Sequence, residues 1–257
     1  MPLRRVLCAP VCASILLLGS GCSPPADPAG SNASTSASAT SAGAEDDRAD
    51  RVSTTMGAPE HSRGTLVATA NGPEVAVFTT LEGEVADTFP NPTSTDVPAT
   101  FMVISQEKNW VEVQLPIRPH GGTGWVRAKD VELTEVSYSL KVSTADRTLD
   151  LYRFDELMES FPVATGTGGT PTPKGTFYLT ELITPTNEGY GPFAYGVSAF
   201  SEELTDFGGG PGQIGLHGTD DQESLGRAAS HGCIRMSNPS ITKLSALLPL
   251  GTPIEIS

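Results

Sequence analysis

Residues 217 and 230–235 bring a thiol, two imidazoles and a guanidinium into one short stretch: His217, then Ser230-His231-Gly232-Cys233-Ile234-Arg235. Cys233 is the only cysteine after residue 22. A thiol attacks a carbonyl only as its thiolate, so it needs a proton acceptor beside it. His217 and His231 both qualify. His231 stands two positions before the thiol and shares its face if the chain is extended, whereas His217 must approach from a neighbouring strand. Gly232 allows a close backbone approach, so the amides near Gly232 and Cys233 are candidates to meet an oxyanion. Arg235 has the planar fork that grips a carboxylate. A lone cysteine is also a common small core residue. His217, His231 and Cys233 are zinc-ligand types, but the chain has neither H-x-x-x-H on a helix nor a C-x-x-C pair, so no metal is expected.

The elements that must position these groups read as mainly β. Gln213-Ile214-Gly215-Leu216 is a strand running straight into His217. Tyr138-Ser139-Leu140-Lys141-Val142 and Leu149-Asp150-Leu151-Tyr152 alternate apolar and polar residues, as half-buried strands do. Phe161–Thr165, Gly175–Leu179 and Thr252–Ile256 supply further strands, and Thr170–Gly175 is a rigid turn-rich loop. Pro239–Leu248 is the credible helix, capped by Ser237 or Asn238 with Pro239 at its first position. Residues 184–212 place Tyr190, Phe193, Tyr195 and Phe200 among many glycines. That composition suits a mobile lid whose aromatics stack on substrate, or a long loop that fills a satellite core.

His217-Gly218-Thr219, an intervening loop, and Ser230-His231-Gly232-Cys233-Ile234-Arg235-Met236 together resemble the signature of the YkuD-type L,D-transpeptidase family. Val163-Ala164-Thr165-Gly166, Thr172-Pro173-Lys174-Gly175 and Pro253-Ile254 fit the same pattern, so the resemblance covers about 136–257. It implies a β-rich catalytic fold, with one or two short helices, that cross-links peptidoglycan. It implies that Cys233 is the nucleophile and His217 the general base, with Ser230 and His231 in support. The oxyanion hole would be formed by the Gly232 and Cys233 amides. Arg235 would orient the substrate or serve the structure; Gly218 and Thr219 would face the substrate, as would Tyr190 and Tyr195 if their segment is a lid. The implied reaction releases D-Ala from a tetrapeptide stem through a thioester and forms a 3→3 cross-link. Carbapenem-type β-lactams would acylate the same thiol, and no cofactor is needed. Two other readings are a hydrolytic cysteine peptidase of the wall and a wall-binding lipoprotein without catalysis. Papain-like wall peptidases carry Cys before His, the reverse of the order here.

The rest of the chain explains where such a site would work. Residues 1–21 have a short basic start, Arg4-Arg5, then the apolar run Val11–Leu18, too short to span a bilayer but of the size of a secretory signal core. Gly19-Ser20-Gly21-Cys22 resembles a lipobox, with Cys22 acylated as the mature N-terminus, although Gly19 stands where Leu is usual. Cys8 and Cys12 would leave with the leader, and Cys233 would stay unpaired. Residues 22–62, rich in Gly, Ser, Ala and Thr, read as a disordered tether that can reach roughly 35 Å. Residues 63–134 hold short apolar runs separated by turns and resemble the small antiparallel Src-homology-type barrels found beside wall enzymes. There Trp110 and Trp125 are expected in the core. The catalytic domain is expected over 135–257. The protein would thus be extracytoplasmic, lipid-anchored at the outer face of the cytoplasmic membrane, with peptidoglycan stem peptides as its partners. The net charge of -14 excludes nucleic acid, whose phosphates require clustered Lys and Arg.

Overall fold

The computed structural model describes residues 64–257 apart from residues 188, 208 and 209. The expected leader, Cys22 and the whole of the tether lie outside the described residues.

Seven strands form a first, wholly antiparallel sheet: β1 Thr65–Ala70, β2 Glu74–Phe78, β3 Val85–Pro90, β4 Thr100–Glu107, β5 Trp110–Gln114, β6 Thr123–Arg127 and β7 Val131–Val136. Their spatial order, β3-β2-β6-β5-β4-β1-β7, wraps into a barrel-like sheet. Alternation sets its inner face. In β5, Val111 and Val113 are fully buried while Trp110 and Glu112 are half-buried. Val75, Val77, Phe101 and Val126 complete this core. Contrary to expectation, Trp110 and Trp125 are only half-buried. Trp110 meets Phe78 edge-on at 5.0 Å, and Arg127 lies over both rings. β3 carries no apolar alternation and is almost wholly exposed, which is why its sequence gives no strand signal.

The remaining strands are β8 Tyr138–Ser143, β9 Thr148–Arg153, β10 Glu156–Pro162, β11 Thr165–Gly166, β12 Gly175–Ile183, β13 Ala194–Phe200, β14 Gln213–Thr219, β15 Ala228–Ser230, β16 Ile234–Ser237 and β17 Pro253–Ile256. Eight of them form a mixed sheet ordered β10-β9-β8-β17-β12-β13-β14-β16, and β11 pairs with β15 beside it. The expected strand Phe161–Thr165 divides. Its first part ends β10, while Ala164 turns to exchange backbone hydrogen bonds with Arg235 at 2.8 and 2.9 Å. The α-helix among the described residues is α1, Asn238–Ser245; Ser237 Oγ accepts from the Ser240 amide at 3.2 Å as its cap. Ile241 and Leu244 are fully buried against the second sheet. At about 2 kcal/mol each, that packing holds a helix too short to persist alone.

The glycine-rich aromatic segment is not a continuous loop. Its middle is β13, with all seven residues buried. The two sheets meet through buried polar contacts. Gln114 Nε2 donates to the Thr176 carbonyl at 2.9 Å, and the Tyr178 hydroxyl donates to the Gln114 carbonyl at 3.2 Å.

Candidate active site

β14 and β16 are parallel neighbours in the register Leu216↔Ile234 and His217↔Arg235. Side chains alternate along a strand, so Leu216, Ile234 and Met236 go to the core, where each is fully buried. The opposite face carries Gly215 and His217 on β14, with Cys233 and Arg235 beside them. Gly215 lies between the imidazole and the thiol. A Cβ there would lie 3.6 Å from His217 Cδ2 and 3.7 Å from Cys233 Sγ. The imidazole and the thiol therefore converge over one glycine. The Gly215 amide points at Sγ, 3.4 Å away.

His217 Nδ1 lies 2.7 Å from the Gly218 carbonyl oxygen. A carbonyl only accepts, so Nδ1 carries the proton and the neutral ring keeps its lone pair on Nε2. The Tyr190 ring stacks on the imidazole at 4.1 Å. His217 is 2% exposed. Burial lowers its pKa to about 4; hydrogen bonding to the Gly218 and Tyr190 backbone works the other way, and the Arg235 charge adds to the lowering. Burial pushes the Cys233 thiol up, opposed by the Gly215 amide and Arg235. The resting pair is thus a neutral thiol and a neutral imidazole.

The turn before Cys233 is tied from two sides. Ser230 Oγ accepts from the Gly232 amide at 3.1 Å and donates to the Cys233 carbonyl at 2.5 Å. Thr172 Oγ1 donates to the Gly232 carbonyl and accepts from the Gly166 amide, both at 2.8 Å. Gly232 has φ +120°, a conformation open to glycine. Thr172 thereby positions the turn, a role that no motif in the sequence assigns to it. Its signal was the Thr-Pro-Lys-Gly run, whose threonine is 4% exposed within a turn-rich loop.

Several expected roles change. The Gly232 amide is engaged by Ser230 and is not free for an oxyanion, whereas the Cys233 amide makes no backbone hydrogen bond with the described residues. Tyr195 borders the cleft, but its ring is buried and its hydroxyl donates to the Leu244 and Leu248 carbonyls at 3.1 and 2.9 Å, tying β13 to the end of α1. Gly218 supports the imidazole through its carbonyl and is packed against Gly191 and Asn238, where a Cβ would lie 2.3 Å from Asn238 Oδ1. Thr219 is buried and its Oγ1 accepts from the Asp221 amide at 3.1 Å. His231 is exposed, its ring 5.5 Å from that of Phe207. Arg235 Nε is buried without a hydrogen-bond partner among the described residues, and its charge is felt by Tyr190, His217 and Cys233 alike.

A cleft of about 360 Å³ opens onto Cys233. Its lining includes Tyr190, Thr184–Asn187, Phe207 and Gly210–Gly212.

Residues 137–256 match the model of the L,D-transpeptidase catalytic domain, YkuD. A Bacillus licheniformis protein provisionally named L,D-transpeptidase YkuD is 37% identical over 123 residues, 48% of this chain and 67% of the relative. Its Bacillus subtilis counterpart is 35% identical over the same shares. Among solved structures, L,D-transpeptidase 3 from Mycobacterium tuberculosis is similar with a TM-score of 0.44 and 12% identity, over 76% of this chain and 92% of that one. The imipenem complex of the L,D-transpeptidase LdtMt1 gives 0.43 and 16% over the same shares. A thiol and a buried imidazole converging on a strand glycine, within the segment that the family model matches and the Bacillus relatives share, place the chain in the YkuD-type L,D-transpeptidase family.

Proposed function

We propose that the protein is a peptidoglycan L,D-transpeptidase that forms 3→3 cross-links through a thioester on Cys233. The observation that carries this reading is the convergence of Cys233 Sγ and the His217 ring over Gly215, with Nδ1 held by the Gly218 carbonyl. As Sγ attacks the carbonyl of the third, L-centre residue of a tetrapeptide stem, its proton passes to His217 Nε2. The Cys233 amide faces the oxyanion that forms. Collapse breaks the C–N bond to D-Ala, whose nitrogen takes the proton from His217. The amine of a second stem then attacks the thioester, gives a proton to His217, and releases the thiol as the new amide forms. Arg235, cationic and without a hydrogen-bond partner at Nε among the described residues, orients a stem carboxylate. Water in place of the amine would give an L,D-carboxypeptidase. The protein works outside the cytoplasmic membrane, anchored through lipid on Cys22, and carbapenems acylate Cys233.

The test is to incubate the purified chain with disaccharide-tetrapeptide and to analyse the products by mass spectrometry. Dimers that have lost D-Ala are expected from wild type and not from Cys233→Ala; equal products from both would sink the reading. Hydrolysed monomers alone would identify a carboxypeptidase. His217→Ala should abolish imipenem adducts on Cys233 while His231→Ala keeps them, and the reverse pattern would exchange their roles.

A further inference from the structure

Part of the cleft wall belongs to the segment between β13 and β14, whose described residues are 201–207 and 210–212. Its neck is closed by the Ser201 amide donating to the Gly212 carbonyl at 2.7 Å. Gly212 has φ +71°, and a Cβ there would lie 1.8 Å from the Leu204 carbonyl oxygen, so the neck has no room for a side chain at that position. Phe207 and Gly210–Gly212 face the cleft, and β14 leads from this neck directly to Gly215 and His217.

The groups that grip this neck from outside come from the first sheet. Arg118 stands in the turn between β5 and β6. Its Nη2 donates to the Ser201 carbonyl at 2.9 Å and to the Pro211 carbonyl at 2.7 Å, one on each side of the neck. Its guanidinium lies 4.8 Å from the centre of the Phe200 ring. His120, two residues on, accepts the Phe200 amide on Nε2 at 2.9 Å, and its ring meets Phe177 edge-on at 5.4 Å. The turn is anchored in turn by β5, where Gln114 is bonded to β12. The segment matched by the family model begins at residue 137, so both residues lie outside it.

We propose that Arg118, with His120 beside it, is a positioning residue for the Cys233 cleft: the first sheet braces the neck of the loop that forms one wall of the site. One cation satisfies two carbonyls that the neck leaves pointing outward, and charge-assisted hydrogen bonds of this kind are the stronger ones. Without it the two ends of the loop are joined by the Ser201–Gly212 bond, and the wall bearing Phe207 and Pro211 loses its fixed distance from Cys233. Arg118 does not touch the thiol or the imidazole, so it acts on how a ligand is held and not on the bond-making step. The inference rests on Cys233 being the acylated residue.

The test uses the full chain, with imipenem as the probe. Adduct formation on Cys233 is followed by mass spectrometry at several concentrations, which separates pre-covalent affinity from the limiting rate. Arg118→Ala should weaken the affinity about tenfold and leave the limiting rate within about twofold. Arg118→Lys keeps a cation able to reach both carbonyls and should recover most of the loss. His120→Gln keeps an acceptor for the Phe200 amide and should do better than His120→Ala. Hydrogen exchange gives a readout independent of the thiol. Amides in 201–207 should exchange at least about tenfold faster in Arg118→Ala, with β8 and β9 unchanged. Unchanged exchange in that loop, equal losses in Arg118→Ala and Arg118→Lys, or loosening spread over the whole second sheet would each overturn the proposal. Absence of an adduct on the wild-type chain would count against the Cys233 reading, and the exchange comparison would still decide the brace.

Discussion

The ring of Tyr190 lies on the imidazole of His217 with centroids 4.1 Å apart and planes 16° from parallel. Tyr190 itself comes from the irregular segment before β13, so a residue on a loop helps to bury the base on a strand. Removing that cover should expose the imidazole. In Tyr190→Ala the His217 pKa is expected to rise from about 4 toward the ordinary histidine range, since burial is the main cause of its depression. An NMR titration of the ring reads this directly. A midpoint that stays near 4 would show that the stack does not set it.

The same burial ties stability to pH. His217 is taken up neutral, with a folded pKa of about 4 against 6.5 for the unfolded chain. Above about pH 6.5 neither state binds the proton and there is no penalty. As pH falls from there to about 4, the unfolded chain takes a proton that the folded chain refuses, and stability drops by roughly 3 kcal/mol before levelling. Other groups titrate in this window, so the measurement is the difference in urea unfolding between wild type and His217→Gln at pH 7.5 and pH 4. A difference independent of pH would contradict the burial account.

Cys233 and His217 rest as a neutral pair, the thiol pushed up by burial and the imidazole pushed down. Alkylation of Cys233 by iodoacetamide should therefore rise continuously with pH through neutrality and beyond, without the acid-side plateau that a thiolate–imidazolium pair produces. Thiolate absorbance at 240 nm should follow the same curve. A full, pH-independent rate near pH 6 would mean that the ion pair is already formed.

Ser230 and Thr172 each bridge two backbone groups of the segments that hold Cys233. Ser230→Ala frees the Gly232 amide and the Cys233 carbonyl; Thr172→Val orphans the Gly166 amide and the Gly232 carbonyl. Each change is expected to destabilise by about 1–3 kcal/mol and to slow imipenem acylation. Thermal unfolding and the acylation rate check the two parts separately. An unaltered rate in both variants would show that neither residue positions the thiol.

Tyr195 distinguishes structural support from substrate contact. Its hydroxyl serves the carbonyls of Leu244 and Leu248 at the end of α1. Tyr195→Phe should lower stability by about 1–2 kcal/mol and leave cross-linking kinetics unchanged, whereas a lowered affinity for the tetrapeptide donor would restore Tyr195 to the substrate surface.

Much of this molecule was legible along the chain because its signals are local. Alternation in Trp110–Gln114, Tyr138–Ser143 and Thr148–Arg153 marks strands whose inner residues are buried. Ser237 and Pro239 mark the start of α1. β3 was not visible, because an exposed edge strand needs no apolar pattern and is held by pairing with β2. β13 looks like lid or loop in the sequence, because a strand buried on both faces shows no alternation and its glycine and aromatics imitate a flexible segment.

At the site, the residue types and their order determined that a thiol, an imidazole and a guanidinium belong together, and the YkuD-type signature named the chemistry. What the tertiary structure decided was their geometry. Parallel pairing of β14 with β16 sets Cys233 beside Gly215 and Arg235 beside His217, and the Gly218 carbonyl fixes which nitrogen is free. Pairing with Ser230 withdraws the Gly232 amide, and the first sheet reaches the site through Arg118. These are contacts between segments far apart in the chain or bonds set by its three-dimensional path, and sequence spacing carries no record of them.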